Sequence, residues 1–343
     1  MVKKRNIVII SACLCLLGGL GFIEKRLARF TIPNGWPQPQ YDFSKNPLTD
    51  EGFRLGRVLF YDPILSRDSS TSCSSCHIQF SGFSHGDHRV SHGINGLKGT
   101  RNPMVLFNLA WYKSFRWDGA ANHIETQPIG PITNPIEMDN TMEAVVKKLQ
   151  RSARYQRLFK EAFGDTVVTT ARTMKAMAQY LLCLQSFDSK YDKVMRKEDG
   201  VTFTENEEKG YRFFKMKCAN CHSEPLFTSQ QFIDNGLAID TIYMDAGRGG
   251  VTQQPKDSFC FRVPTLRNIA VSSPYMHDGR FQSLEEVLLH YQSGVKVRQQ
   301  VHSSLKKGIP MTPVQQADLL AFLNTLTDKN FLYELRYRYH LKD

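Results

Sequence analysis

The pentapeptide C-x-x-C-H occurs twice in this chain, as Cys73-Ser74-Ser75-Cys76-His77 and as Cys218-Ala219-Asn220-Cys221-His222. In such a motif the two cysteines form thioethers to the vinyl groups of a haem, and the adjacent histidine gives an axial nitrogen to its iron. Zinc and thiol-redox sites also use C-x-x-C. A zinc site, however, wants its two pairs about 15–20 residues apart, and Cys73 and Cys218 are separated by 145. A redox motif of the thioredoxin kind needs no histidine after its second cysteine, and here both motifs have one. The expected cofactors are therefore two covalent c-type haems.

Four of the eight cysteines lie outside these motifs. Cys13 and Cys15 fall in an N-terminal apolar stretch, which leaves Cys183 and Cys260. Cys183 sits in the run Leu181-Leu182-Cys183-Leu184, whose helical apolar pattern points to a buried free thiol rather than a disulfide.

The chain opens Met1-Val2-Lys3-Lys4-Arg5, continues with an apolar run over 7–23, and then carries Lys25, Arg26 and Arg29. This pattern is an export signal or an N-terminal anchor. With no A-x-A-like cleavage site, residues 1–30 are expected to be an uncleaved membrane anchor with its basic end inside. The alternative is a cleaved lipoprotein signal ending at Cys13. Either way the body is exported to the periplasm, where c-type haem is attached.

The formal charge is +11, and six basic residues against one acidic in positions 1–30 leave +6 on the rest. Two ferric haems with ionised propionates reduce that further. No basic stripe with interleaved aromatics and no nucleic-acid motif is present, so nucleic acid is not an expected partner. The residual charge suits docking of an acidic electron donor.

Residues 31–47, with Pro33, Gly35, Pro37, Pro39 and Pro47, read as a linker. An internal repeat follows. Thr49-Asp50-Glu51, then apolar residues at helical spacing to Phe60, precedes the first motif. Thr204-Glu205-Asn206-Glu207, then the same spacing to Phe214, precedes the second. Each stretch has a threonine N-cap and an acidic first turn, and Thr204 with Glu207 forms a capping box. Further helices are expected over 141–163, ending at Gly164, and over 171–187. Two more follow, over 284–291 behind the box Ser283/Glu286 and over 314–326 behind Thr312, Pro313 and Gln315. Segments 78–103 and 224–274 are rich in Gly, Pro and Asn and are expected to be long loops ordered by haem. The expected fold is mostly α: two cytochrome c-like haem domains, 48–195 and 196–343, with long haem-packing loops.

Several blocks besides C-x-x-C-H then come together. They are Gly99-Thr100-Arg101-Asn102-Pro103, Trp117-Asp118-Gly119, Gln127-Pro128-Ile129 through Pro135-Ile136-Glu137-Met138, Val263-Pro264-Thr265-Leu266-Arg267-Asn268, and Pro274-Tyr275-Met276-His277-Asp278-Gly279-Arg280-Phe281. With these blocks, residues 48–330 resemble the bacterial di-haem cytochrome c peroxidases and the related MauG-type enzymes. The resemblance implies a peroxidatic N-terminal haem on His77 and an electron-transferring C-terminal haem on His222. It further implies Trp117 as the relay between them, with Gln127 and Glu137 beside it, Glu137 as the distal acid/base, and a Ca²⁺ held by Asn102 and the backbone carbonyls of Ser272 and Pro274. Oxygen-only ligation suits that ion. The implied partners are hydrogen peroxide and a small redox protein such as cytochrome c, and members of the family are often homodimers.

The distal ligands separate the subtypes. Tyr291 matches the distal position of the second haem, as in MauG-type enzymes, where many peroxidases have methionine; Met276 and His290 are alternatives nearby. At the first haem, gapless matching places Ile94 where ordinary peroxidases carry a removable histidine. His92 stands two residues earlier, with His85 and His88 close by. Either His92 swings in, or the iron is open. The main expectation is a peroxidase reducing hydrogen peroxide to water. The alternatives are a MauG-type enzyme oxidising side chains of a partner protein, and a non-catalytic di-haem electron carrier.

Overall fold

The computed structural model describes residues 30–86 and 88–339, and its regular structure is almost wholly helical. The helices are α1 (Asp50–Tyr61), α2 (Ile129–Thr133), α3 (Met142–Arg151), α4 (Ala153–Phe163), α5 (Thr170–Leu182), α6 (Lys190–Met195), α7 (Glu205–Lys217), α8 (Arg248–Thr252), α9 (Leu284–Leu289), α10 (Pro313–Asn324) and α11 (Lys329–Tyr333). Two two-residue strands, β1 (Phe232–Ile233) and β2 (Phe261–Arg262), pair antiparallel. The expected anchor over 1–30 lies, except for Phe30, outside the described residues. Among the described residues no helix is long and apolar enough to cross a membrane.

Each half is organised by one crossed helix pair, α1 on α5 and α7 on α10. The caps read from the sequence are present: Thr49 accepts from Gly52 N–H, and Thr204 and Glu207 close their box. A glycine brings each pair together. A Cβ on Gly56 would collide with the Ala176 carbonyl oxygen, and one on Gly210 with that of Asp318. Backbone thus lies on backbone at both crossings. Phe60 and Phe214, each four residues further on, are buried beneath their pairs.

Three apolar clusters fill the interior. One gathers Leu55, Leu59, Val145, Leu149, Tyr155 and Phe159 under α1, α3 and α4. Another gathers Tyr191, Phe213, Phe214, Phe227 and Phe322 under α7 and α10. The third joins Phe60, Phe83, Phe107 and Tyr180 to Phe331, Leu332 and Tyr337, so the chain's last segment packs back on its first half.

The structure departs from the expected helices in three places. The single helix over 141–163 is two, because Ser152 turns extended (φ −89°, ψ 118°) and caps the second through its hydroxyl. The helix expected to reach 187 ends at Leu182. The one expected over 284–291 ends at Leu289 and loosens into a π-turn, His290–Gly294. Gly164 terminates α4 in the left-handed region, as its position predicts. Cys183 and Cys260 are buried free thiols.

The repeat extends into the loops. Asn108 and Asn268 both take left-handed φ (56° and 57°) and both open a single 3-10 turn. Both also bind Ser186: Asn108 takes its backbone N–H and carbonyl, and Asn268 donates to its hydroxyl. Further on, Phe115 bridges Ala121 and Tyr275 bridges Phe281. Arg116 and Met276 share left-handed φ (70° and 72°), and so do Gly119 and Gly279. This pairing matches Trp117 with His277 and Asn102 with Arg262. The two halves exchange equivalent hydrogen bonds across the interface: Asn102 N–H donates to His277 O (2.7 Å) and Arg262 N–H to Trp117 O (2.8 Å).

Candidate haem-binding and catalytic site

A cavity of about 980 Å³ runs along this interface. Its walls include Cys76 and His77 from the first motif and Cys218, Cys221 and His222 from the second. Trp117, Gln127, Glu137, Asn102, Ser272, Pro274, Met276 and Tyr291 also line it. Of the site residues expected from the sequence, all but Cys73, His92 and the alternative ligand His290 thus face one space, and Cys73 packs at the edge of the neighbouring apolar clusters.

Both motif histidines are oriented in the same way. His77 Nδ1 lies 2.7 Å from Phe83 O. His222 Nδ1 lies 3.1 Å from Pro264 O and 3.3 Å from Phe227 O. Phe83 and Phe227 are fully buried and both left-handed (φ 58° and 54°), so the same kind of turn returns a carbonyl to each ring. With Nδ1–H committed to the backbone, Nε2 is the nitrogen presented to a metal. Burial lowers both imidazole pKa values to about 4, so both rings are neutral, as iron ligation requires. Burial also pushes the Cys73 and Cys218 thiols up to about 12, so both are protonated here. Among the described residues there is no cluster of three or more His, Cys, Asp or Glu that could hold a metal ion. Paired thiols beside a neutral, oriented imidazole at an apolar cavity fit covalent haem at both motifs.

Glu137 stands on the first-motif side, where its charge is felt at Cys73 and Cys76. Asn134 Nδ2 donates to its Oε1 at 2.7 Å. Its backbone carbonyl accepts from Ile94 N–H at 2.8 Å. Gly93 makes that approach possible, because a Cβ there would collide with the carbonyl oxygens of Ile136 and Glu137. Sequence reasoning missed Asn134 and Gly93, although both lie in or beside blocks that had been singled out.

His92, expected either to swing onto the first iron or to leave it open, does not line the cavity. Its ring is exposed and packs tilted against His88 (centroids 5.0 Å), which in turn contacts His85 (4.9 Å). Ser91 lines the cavity instead. In an extended segment side chains alternate, so an inward Ser91 turns His92 outward. Ile94, at the matched position, is buried and donates its N–H to Glu137.

Trp117 is 9% exposed, and its Nε1–H donates to Asn102 O at 2.7 Å. Asn102 Nδ2 donates to Pro274 O (2.6 Å) and Met276 O (3.2 Å), while Asn102 Oδ1 is buried with no partner. That orphaned oxygen beside carbonyls, with Ser272 in the same wall, fits a hard cation.

On the second-motif side Tyr291 occupies the π-turn, a device that recurs at functional sites. Burial raises the pKa of its phenol, with the Cys221 and Cys218 sulfurs near enough to add to the effect and a hydrogen bond to Asn235 opposing it. Asn235 Nδ2 also lies 3.6 Å from Met276 Sδ. Tyr291 and Met276, the two candidate distal ligands, therefore meet at one amide. His290 turns away, its Nε2 against Asn235 O (3.2 Å).

The chain's similarities agree with this geometry. The family model "Di-haem cytochrome c peroxidase" matches residues 50–200. The methylamine utilization protein MauG of Methylorubrum extorquens is 38% identical over 305 residues, covering 87% of this chain and 83% of that protein. The cytochrome c peroxidase Ccp of Escherichia coli is 32% identical over 90% of this chain and 66% of its own length. The cytochrome c551 peroxidase of Nitrosomonas europaea is 33% identical over 80% of this chain and 79% of its own. Among solved structures, a MauG-like protein associated with microbial copper homeostasis superposes with a TM-score of 0.83 at 32% identity, over 90% of this chain and 98% of that one.

Proposed function

Because the chain belongs to the di-haem cytochrome c peroxidase family, we propose that it reduces hydrogen peroxide to water with electrons from a small redox protein such as cytochrome c. The observation that carries this reading is the shared cavity, in which Glu137 faces the first motif while Trp117 and the second motif stand in the same walls. When bound, the two haems supply the redox chemistry. Two one-electron oxidations of the donor and two protons turn one peroxide into two waters.

The protein's own residues handle the protons. With Oε1 held by Asn134, the remaining oxygen of Glu137 takes a proton from the near peroxide oxygen and returns it to the far one, which leaves as water. Trp117, fixed by its bond to Asn102 O in the cavity that both motifs line, would relay the electron from the second haem to the first. Gln127 adds a polar group to the same wall. The test is direct. The purified protein, carrying two covalent haems, should oxidise two equivalents of reduced cytochrome c per peroxide. Peroxide-independent or absent donor oxidation would sink the reading.

Gly93→Ala probes the scaffold. The added methyl meets only backbone atoms, so the 91–99 loop and the Glu137 loop must separate. A displacement of about 1 Å can cost about 10²-fold in rate. Turnover in this variant should fall by that order with both haems retained, and wild-type turnover would show that this contact does not place the carboxylate.

One observation favours the MauG-type alternative, namely that Tyr291 faces the second motif. A tyrosine oxygen is a hard anionic ligand that stabilises ferric iron. On that reading, peroxide added to the ferric protein without donor leaves a persistent spectral change. A spectrum that returns at once points back to the peroxidase.

We also assign a Ca²⁺ to Asn102 Oδ1 and the carbonyls of Ser272 and Pro274, where it would fix the 272–276 loop against Asn102. The reaction is placed in the periplasm, with residues 1–30 as tether, on the strength of the basic–apolar–basic N-terminus and the covalent haem motifs.

A further inference from the structure

Arg262 is the residue the reaction leaves unexplained. It is 1% exposed, yet it lines the haem cavity. Its Nε and Nη2 donate to Arg116 O (3.1 and 3.0 Å), and Nη2 donates to Ser114 Oγ (3.1 Å). The guanidinium lies over the rings of Tyr112 (5.7 Å) and Phe232 (5.1 Å). No carboxylate reaches it, and its Nη1 is buried without a hydrogen-bond partner.

Two other guanidinium groups, that of buried Arg267 and that of half-buried Arg101, are neutralised. Arg267 donates two hydrogen bonds to the carboxylate of Asp192 (2.7 and 2.8 Å). Arg101, in the same cavity wall, binds Asp118 (2.5 Å) and Asp245 (2.6 and 2.8 Å). Asp118, whose field does reach Arg262, is thus already taken. A buried cation without a counter-charge is strongly unfavourable, and guanidinium remains protonated regardless. The fold nevertheless holds this one in place with two carbonyl bonds and two aromatic faces.

We infer that Arg262 is a cofactor-binding residue whose free guanidinium edge takes a propionate carboxylate of a haem in the shared cavity. The inference rests on the di-haem reading. Each haem brings two carboxylates into a space where Arg262, among the cations of the described walls, is the one that is fully buried and lacks a carboxylate partner. The pseudo-symmetry adds to the case. Arg262 is the counterpart of Asn102, the residue whose orphaned oxygen fits a cation. The two equivalent positions would then each place positive charge at the haem interface, one through a bound ion and one through a side chain.

The test is the reduction potential of each haem in the holoprotein, by spectroelectrochemistry. Removing a positive charge beside a haem favours the ferric form. Arg262→Gln should therefore lower one haem's potential by about a tenfold change in its one-electron equilibrium, about 59 mV, and Arg262→Lys should largely restore it. If both potentials stay put in a Gln variant that retains two haems, the assignment fails while the peroxidase reading stands. A wild-type protein with no covalent haem would overturn both. Should the Gln variant not fold, the Lys variant still decides. Trading a fork for a single ammonium should move the propionate-bending band in resonance Raman spectra, and an unmoved band overturns the assignment.

Discussion

Glu137→Gln is expected to lower kcat/KM for hydrogen peroxide by about 10²–10⁴-fold, the usual span for loss of a general acid–base group. Both haems should remain attached. The substitution is nearly isosteric, and the amide oxygen can still accept from Asn134 Nδ2, now at 2.7 Å from Oε1. The backbone bond from Ile94 to Glu137 O is untouched. What is lost is the ability to carry a proton between the two peroxide oxygens. Reduction of the second haem by donor should proceed at the wild-type rate, because Trp117, Tyr291 and the second motif are not altered. Asn134→Ala makes a useful partner variant. It leaves the carboxylate but frees its rotation, so a smaller loss is expected than in Glu137→Gln. Stopped-flow mixing of the reduced protein with peroxide separates these steps, and unchanged peroxide reactivity in the Gln variant would remove Glu137 from the proton path.

The features legible in the sequence are those set by local chemistry. The two motifs, the Thr49 and Thr204 caps and the Thr312/Gln315 and Ser283/Glu286 boxes each rest on atoms within a few residues of one another, and each is present. The long loops were legible only in outline. They have no period of two or 3.6, so nothing local says which side chains face inward. His92 shows the consequence: its exposure follows from Gly93 packing on the backbone of Ile136 and Glu137, more than forty positions away. Arg262 was hidden for a similar reason. Its counterpart Asn102 shares no chemistry with it, and only the exchanged bonds to Trp117 O and His277 O reveal the match. Short traces of that repeat were in the sequence, in Asn108-Leu109-Ala110 against Asn268-Ile269-Ala270 and in Asp118-Gly119 against Asp278-Gly279. They gain meaning once their left-handed φ angles coincide.

Gly210→Ala is expected to destabilise the second half and disturb its haem together. On an isolated helix the change would help, by up to about 1 kcal/mol. Here α7 crosses α10 at this residue, and the new methyl would meet the Asp318 carbonyl carbon and oxygen and the Phe322 Cβ. Backbone inside a helix cannot rotate aside, so the helices must part, which puts the cost near the upper end of the roughly 1–3 kcal/mol typical of overpacking. The net loss is then about 2 kcal/mol, or roughly 4–8 °C in Tm for a domain of this size. The helix that moves also carries the cofactor: Cys218 N–H bonds Phe214 O (2.8 Å), so the second motif continues directly from the end of α7. A shift of α7 against α10 therefore displaces His222 relative to Tyr291, and the spectrum of the second haem should change while that of the first does not. Gly52→Ala supplies the contrast. Its methyl would meet only the amide end of Gln179, a side chain that can swing away. A smaller fall in Tm and unaltered spectra are expected there. Equal losses in the two variants would mean that the α7–α10 crossing is not what positions the second haem.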